Sequence, residues 1–215
     1  VAAVTAKAAG LQPLLIEKTE LIGGSTALSG GILWLPNNPL MAREGIADSR
    51  AESITYLANF TRDDDLDSTP ARRAAFVDAI PEMITAMEAQ GMKYRNCPGY
   101  CDYYDHLPGG NAFGRSIQAE LFNLNELGAW KSRFRRSPGA MPLATSEAQR
   151  LLLMKRTSAG AKMAAQLGAR VAVQKVTRRD VVGSGGSLQG RMLQIALRMG
   201  VEIWTETMLL DLDIQ

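Results

Sequence analysis

Small and apolar residues dominate positions 2–9 and Gly10 follows, a pattern that predicts a helix closed by a glycine. The next apolar run, Leu14-Leu15-Ile16, centres a strand over 11–18 whose end is charged, Glu17-Lys18. Glycines and hydroxyls then break the pattern over 23–31, and Ile32-Leu33-Trp34-Leu35 is a short apolar segment. Pro36-Asn37-Asn38-Pro39 excludes helix and ladder alike and turns the chain.

From Asp48 the period becomes helical. Asp48-Ser49-Arg50-Ala51-Glu52 starts a helix over 53–60, with Asp and Ser capping its free N–H groups. Thr69-Pro70 opens another that runs to Gln90 before Gly91, and Phe76, Ile80, Met83, Ile84 and Met87 recur at three and four residues as one buried face. Residues 94–114 are irregular and aromatic, closed by the charged fork Gly114-Arg115-Ser116. A connection over 121–128 becomes helix, 146–168 holds one or two helices, and 171–176 extends the last of them or forms a brief strand. Gly183-Ser184-Gly185-Gly186-Ser187 is a flexible approach to an amphipathic helix over 188–199 capped by Gly200. Val201-Glu202-Ile203-Trp204 is a strand, and Met208-Leu209-Leu210-Asp211-Leu212 a second apolar strand.

The chemistry centres on Gly23-Gly24-Ser25-Thr26-Ala27-Leu28-Ser29-Gly30-Gly31. Four glycines and three hydroxyls in nine residues give a backbone that can approach a ligand closely while offering N–H and O–H donors. Glu17, at the end of the second strand of a dinucleotide fold, can accept hydrogen bonds from ribose hydroxyls. Taken singly, a Gly-Gly pair reads as a turn and a strand-end Glu as a solvated charge. In succession, strand, acid and loop read as the middle of a flavin-adenine dinucleotide site.

Composition narrows the rest. A chain of 215 residues holds one substantial domain, or one domain with a large insertion. A net charge of +2 gives no support to a nucleic-acid partner, and no run approaches the roughly 20 apolar residues of a membrane span. Cys97 and Cys101, with His106 nearby, fall short of a metal ligand set and read as free thiols. Asp63-Asp64-Asp65 and Asp67 read as a solvated loop and helix cap. Arg133, Arg135 and Arg136 read either as a phosphate contact or as an exposed basic patch. No secretory leader is visible. The chain opens on Val1 inside the first helix, and a dinucleotide fold would place a strand and G-x-G-x-x-G before it, so the sequence is expected to be a fragment.

Glu17-Lys18, the 23–31 loop, Trp34 and Pro36 resemble the flavin-binding segment of the fumarate reductase and ketosteroid dehydrogenase superfamily. Pro98-Gly99-Tyr100-Cys101-Asp102-Tyr103-Tyr104, Leu107-Pro108-Gly109-Gly110 and Gly114-Arg115 look more narrowly like the 3-ketosteroid 1-dehydrogenases. The resemblance implies an α/β fold: a partial Rossmann-like FAD-binding domain, 1–45 and 180–215, with a largely helical insertion, 46–179, carrying an aromatic substrate-side loop over 94–116. It implies FAD as cofactor, with Glu17 and Lys18 at the ribose, Gly23, Gly24, Ser25, Thr26, Ser29, Gly30 and Gly31 at the diphosphate and ring, and Leu209 at the adenine.

The resemblance also implies the reaction: two hydrogens leave the A ring of a 3-ketosteroid, a hydride from C1 to flavin N5 and a proton from C2 to a tyrosine base. Tyrosine, ordinarily near pKa 10, is a poor base without help, so a second hydroxyl donating to it is useful. By the family's pattern Tyr100 falls at the substrate and Tyr103 is that supporting catalytic hydroxyl. The base itself and the groups that polarise the carbonyl are expected beyond Gln215, so the segment alone should bind FAD weakly and turn nothing over. An electron acceptor such as a quinone is implied, in a cytoplasmic protein or one associated with a membrane. Two alternatives remain open: another member of the superfamily, a fumarate-type reductase or ketosteroid 4-dehydrogenase, and a truncated, non-catalytic remnant.

Overall fold

The computed structural model describes residues 1–211 and divides the chain into two compact units. One comprises Val1–Gly31 with the chain from Ala119 onward, the other Ile32–Gln118. These cuts fall at 31 and 118 rather than at the 45 and 180 expected for the domains.

In the first unit α1 (Ala2–Ala8) ends at Gly10, whose φ of 83° lets Leu11 N–H reach back to the Ala6 carbonyl at 3.0 Å. The expected strand over 11–18 forms only as β1 (Leu14–Ile16). A 3-10 turn, Thr26–Leu28, follows. After the second unit the chain returns as β5 (Phe122–Asn123), a 3-10 segment over Leu124–Arg133 kinked at Gly128, α5 (Thr145–Leu152), α6 (Ser158–Thr177), β6 (Val181–Val182), α7 (Ser184–Arg198) and β7 (Glu202–Trp204). β1 and β7 pair in parallel with Leu15 opposite Ile203, and β5 and β6 pair antiparallel. Ile22, Ala27, Phe122, Leu124, Phe134, Val182 and Leu193 form the core.

Two expectations change here, and one open alternative is decided in favour of helix. Residues 183–187 are not a flexible approach: Gly183 is the N-cap of α7 and Ser184 starts the helix. The 171–176 run continues α6, which stops where Arg178 turns left-handed, φ 53°. The apolar run after Thr207 has no strand partner among the described residues, so Met208 to Asp211 is irregular chain, and Leu212 lies outside the described residues.

The second unit carries β2 (Ile32–Trp34), α2 (Pro39–Arg43), α3 (Arg50–Ala58), α4 (Pro70–Ala89), β3 (Tyr94–Asn96) and β4 (Ser116–Ala119), with strand order β2-β4-β3. Trp34 lies opposite Ser116 and Leu33 opposite Ile117. Asn37, φ 53°, makes the expected turn, but Pro39 opens a helix instead of excluding one. A proline at the first helical position lacks only an N–H that would have had no partner, and the Asn38 side chain accepts the Leu40 and Met41 N–H groups at 3.0 and 3.2 Å.

α4 starts at Thr69-Pro70 as expected, but its buried face is Arg73, Val77, Ile80, Ile84 and Met87. Phe76 is 42% exposed and stacks on Trp34, with ring centroids 6.3 Å apart. Ile80 and Ile84 pack with Leu35, Leu40 and Ile117. Arg73 ties down the acidic loop by donating to the Ser68 carbonyl at 2.7 Å and the Thr61 hydroxyl at 2.6 Å and pairing with Asp63.

Ile84→Ala empties a fully buried position and is expected to lower the unfolding free energy by about 3 kcal/mol, read from urea denaturation. Phe76→Ala, at a half-exposed position, is expected to cost clearly less in the same assay.

Candidate functional site

Glu17 directly follows β1, and its backbone extends the parallel ladder. Its N–H donates to the Trp204 carbonyl at 2.8 Å and its carbonyl accepts from Thr207 at 2.9 Å. One carboxylate oxygen accepts from the Thr19 N–H at 2.9 Å and lies 3.0 Å from the Thr19 hydroxyl, and the other has no partner among the described residues. The Thr19 N–H, ahead of a smaller opposing effect of burial, holds the carboxyl below its ordinary value, helped by the Thr19 hydroxyl and the charges of Arg135 and Lys18. Lys18 is exposed. Leu209, 59% exposed, lies two residues beyond Thr207, on the stretch that this ladder brings to Glu17.

The glycine loop divides into packed and presented positions. Gly23 and Gly31 are buried with φ of 129° and 65°, and a Cβ on Gly31 would collide with the Ser184 backbone. Gly24, Ser25, Ser29 and Gly30 are exposed, and Thr26 is half-buried. The Ser29 hydroxyl donates to the Thr26 carbonyl at 2.8 Å and accepts from Gly31 N–H at 3.0 Å, while the Ser29 carbonyl accepts from Gly185 N–H at 2.9 Å. Gly185 meets this turn so closely that a Cβ would run into the Thr26 carbonyl. The Thr145 hydroxyl donates to the Gly30 carbonyl and lies 2.8 Å from the Ser184 hydroxyl.

A cavity of about 340 Å³ opens beside the loop, lined among others by Leu28, Ser29, Gly30, Arg135, Thr145 and Ser184. Arg135 is fixed by an isolated parallel bridge: Ile22 N–H donates to the Arg133 carbonyl at 2.7 Å and Arg135 N–H to the Ile22 carbonyl at 2.8 Å. The basic run therefore separates. Arg136 grips Asp180 with two bonds of 2.8 Å, Lys131 joins it at 2.9 Å, and Arg133 donates to Thr205 at 3.0 Å. Arg135 donates to the Thr19 hydroxyl at 3.1 Å, its buried Nε has no partner, and no carboxylate pairs with it among the described residues. The composition of 131–136 could not single it out, since its place depends on a bridge to Ile22 more than a hundred residues away in sequence.

The tyrosine loop belongs to the second unit. Tyr100 is half-buried and Tyr103 is 98% exposed. Between them Asp102 is buried, bonded to Trp34 Nε1 at 2.7 Å and to Arg115 at 2.8 Å. Arg115 in turn grips Asp48 at 2.9 and 2.7 Å. These hydrogen bonds hold Asp48 below and Arg115 above their ordinary values although burial, the largest single influence on each, pushes the other way. The sequence marked Asp48 as a helix cap and Asp102 and Arg115 as parts of the tyrosine-loop motifs, and it gave no sign that the three meet. Burial pushes the Cys97 thiol up to about 12, which leaves it unreactive, whereas Cys101 is exposed, and both are free. The described residues contain no group of His, Cys, Asp and Glu placed to hold a metal, and no helix long and apolar enough to cross a membrane.

An acid beyond a parallel strand, a loop of glycines and small hydroxyl residues and a guanidinium without a direct ion pair among the described residues suit a ligand with ribose hydroxyls and a diphosphate. Residues 1–215 match the family described as FAD binding domain. The chain belongs to this family. The fold is accordingly the FAD-binding fold of the flavoproteins and the cofactor FAD, as the loop and Glu17 led one to expect.

This FAD-binding chain is 35% identical over its whole length to the 3-oxosteroid 1-dehydrogenase of Mycobacterium tuberculosis H37Rv, and 34% identical over its whole length to that of Mycolicibacterium smegmatis, covering 38% of each. The crystal structure of 3-ketosteroid delta1-dehydrogenase from Sterolibacterium denitrificans, in complex with 1,4-androstadiene-3,17-dione, matches with a TM-score of 0.82 at 28% identity. That match covers 95% of this chain and 38% of the other. The chain thus spans well under half the length of these relatives.

Gly185→Ala is expected to destabilise by about 2 kcal/mol or more, because the new methyl must push α7 off the Thr26 turn, and to reduce bound FAD. Gly168→Ala, in α6 with open space around it, is expected to be neutral or stabilising, and thermal melting with flavin absorbance checks both. Because the folded-state pKa of Glu17 is lowered, the stability it lends is present above the ordinary value of 4.5 and is lost as pH falls through the lower folded value. A carbon-13 titration of the Glu17 carboxyl should inflect below 4.5.

Proposed function

We propose that this chain supplies the FAD-holding part and the substrate-side tyrosine loop of a dehydrogenase acting on the A ring of a 3-ketosteroid. The observation that carries the reading is the full-length match to 3-oxosteroid 1-dehydrogenases, which takes in both Glu17 with its loop and the Tyr100–Tyr104 stretch. Bound FAD supplies the acceptor for the hydride that leaves C1. Glu17 would accept from the adenosine ribose through its unpartnered oxygen, with Lys18 beside it, and Leu209 would face the adenine. Gly24, Ser25, Thr26, Ser29 and Gly30 meet the diphosphate and ring, while Gly23 and Gly31 hold the loop in shape.

Arg135 joins this set. Its half-buried guanidinium feels the charge of Glu17 but makes no direct ion pair among the described residues, and an anionic diphosphate would supply one together with an acceptor for Nε. Tyr100 packs against the steroid, and Tyr103 donates its hydroxyl hydrogen bond toward the group that takes the C2 proton, favouring that group's charged form. The exposed aromatic side chains of Tyr103, Tyr104 and Phe113 suit an apolar substrate better than a dicarboxylate.

The test uses the intact gene product that carries these residues. It is purified with its flavin and mixed anaerobically with androst-4-ene-3,17-dione. Bleaching of the flavin with formation of the 1,2-unsaturated product is expected, and bound flavin that does not bleach would sink the steroid reading. Tyr103→Phe is expected to slow bleaching by about 100-fold with FAD still bound, within the usual range for proton-transfer help. Arg135→Met is expected to weaken FAD binding by about tenfold or more without altering the fold, checked by flavin titration and circular dichroism.

A further inference from the structure

The loop from Pro98 to Gly114 carries both tyrosines assigned above, yet it holds no strand or helix of its own. Its tip rests on α3, where Asn59 donates to the Pro108 carbonyl at 2.9 Å, and its base is fixed by charge. Asp102 N–H donates to the Asn111 carbonyl at 3.0 Å and Asn111 N–H to Asp102 Oδ2 at 2.9 Å, a reciprocal pair that closes the loop on itself. The same carboxylate accepts from the indole of Trp34, on β2, and from Nη1 of Arg115, next to β4.

The remaining guanidinium nitrogens hold Asp48, which also accepts the Asn37 and Ser49 N–H groups at 2.8 and 2.9 Å. Asn111 adds a bond of 3.0 Å from its amide to the Ala47 carbonyl. The side chains of Asp48, Asp102 and Arg115 are only 2%, 1% and 2% exposed, and the Tyr56 ring lies under the guanidinium at 5.5 Å. Two carboxylates buried against one guanidinium are an expensive way to stabilise a fold, since an apolar trio of similar volume would often do as well. What charges provide and apolar groups do not is direction: each donor admits one geometry.

We propose that Asp48, Arg115 and Asp102 form a clamp that aims the tyrosine loop, so that Asp102 and Arg115 are positioning residues for the steroid. Asp102 is drawn inward at the loop end of the clamp, and the adjacent residue, Tyr103, is turned outward to 98% exposure. Tyr100 lies two residues before the anchor and takes its position from the same point. Touching neither substrate nor flavin, the clamp acts through the two tyrosines. The proposal rests on the reading of this loop as the steroid side of the site.

Two variants of the intact, flavin-loaded gene product test it. Asp102→Asn keeps the shape and removes the charge, and Arg115→Lys keeps the charge and removes the fork that spans both carboxylates. Hydrogen exchange is read on peptides from 98–114, with α4 as reference within the same molecule. KM and kcat are read with androst-4-ene-3,17-dione.

Exchange in 98–114 is expected to rise by about tenfold or more while α4 and the FAD content stay unchanged, and KM to rise by about tenfold. Unchanged exchange in the loop of a variant whose α4 is intact overturns the clamp. A loosened loop with unchanged KM and kcat overturns its role in positioning. If α4 loosens in Asp102→Asn, Arg115→Lys decides, and loosening of α4 there too makes the triad a support of the whole unit and rejects the proposal. A wild-type protein whose flavin the steroid does not reduce defeats the functional reading alone, since the exchange result still accepts or rejects the clamp.

Discussion

The first unit depends on one close approach, the 3-10 turn Thr26–Leu28 against the opening turn of α7. Gly185 and Gly31 make it possible, because a methyl on either would enter the backbone opposite. Once the two backbones touch, the loop's shape follows from bonds around Ser29: Gly185 N–H donates to its carbonyl, Gly31 N–H donates to its hydroxyl, and that hydroxyl donates to the Thr26 carbonyl. The glycines that read most readily as ligand contacts thus include two, Gly23 and Gly31, whose burial marks them as spacers. The same economy recurs further along α7, where Gly190 lets the Phe122 ring approach so closely that a Cβ would sit 2.7 Å from it. Both contacts dictate small residues on one side of a helix otherwise buried by Leu188, Leu193, Ile195 and Ala196.

The second unit is organised by the opposite means. Its sheet and α4 share an ordinary apolar core, but its longest irregular segment is held by three buried charges whose removal one at a time would leave a partner stranded, a loss of about 3–5 kcal/mol in comparable sites. Desolvation opposes both ionised partners of the Asp48–Arg115 pair, and the bonds between them still win. Asp48 also accepts N–H groups from Asn37 and Ser49, so the turn before α2 and the start of α3 are tied to the same point.

Local signals in the sequence were sufficient where local physics decides. Thr69-Pro70 and Gly91 bound α4, Gly10 closes α1, and Leu14-Leu15-Ile16 is a strand, because caps, prolines and short apolar runs act within a few residues. The reading failed where a distant partner overrides local preference. Gly183 to Ser187 looks flexible by composition, yet those residues open a helix because α7 must press its backbone on Thr26 and Ser29. Phe76 fits the helical period of the buried face, yet it lies over Trp34 at the edge while Val77 turns inward. Met208 to Asp211 has strand-like residues but no partner to pair with among those described. Glu17 and the exposed part of the loop were legible because their chemistry is contiguous. Arg135, Asp48 and Asp102 were not, since each acquires its meaning only through a partner at least 13 residues away in sequence.

The two loops differ in what they must present, and that difference explains why one is built from glycine and the other from buried charge. A loop proposed to meet a diphosphate and a flat ring with its own N–H groups gains from keeping its side chains small, so much of its fixation comes from close backbone packing. A loop that offers tyrosines must do the reverse, and project side chains outward while something else holds the main chain. A hydrophobic anchor at position 102 would leave rotation about the anchor free and would bury beside it the very rings that have to face out. A carboxylate bonded at once to an indole, a guanidinium and a backbone N–H has no such freedom, because the three donors fix it along different directions. Placing that charge in the interior is costly, and under the proposed function the cost is tolerated because it secures direction at Tyr100 and Tyr103.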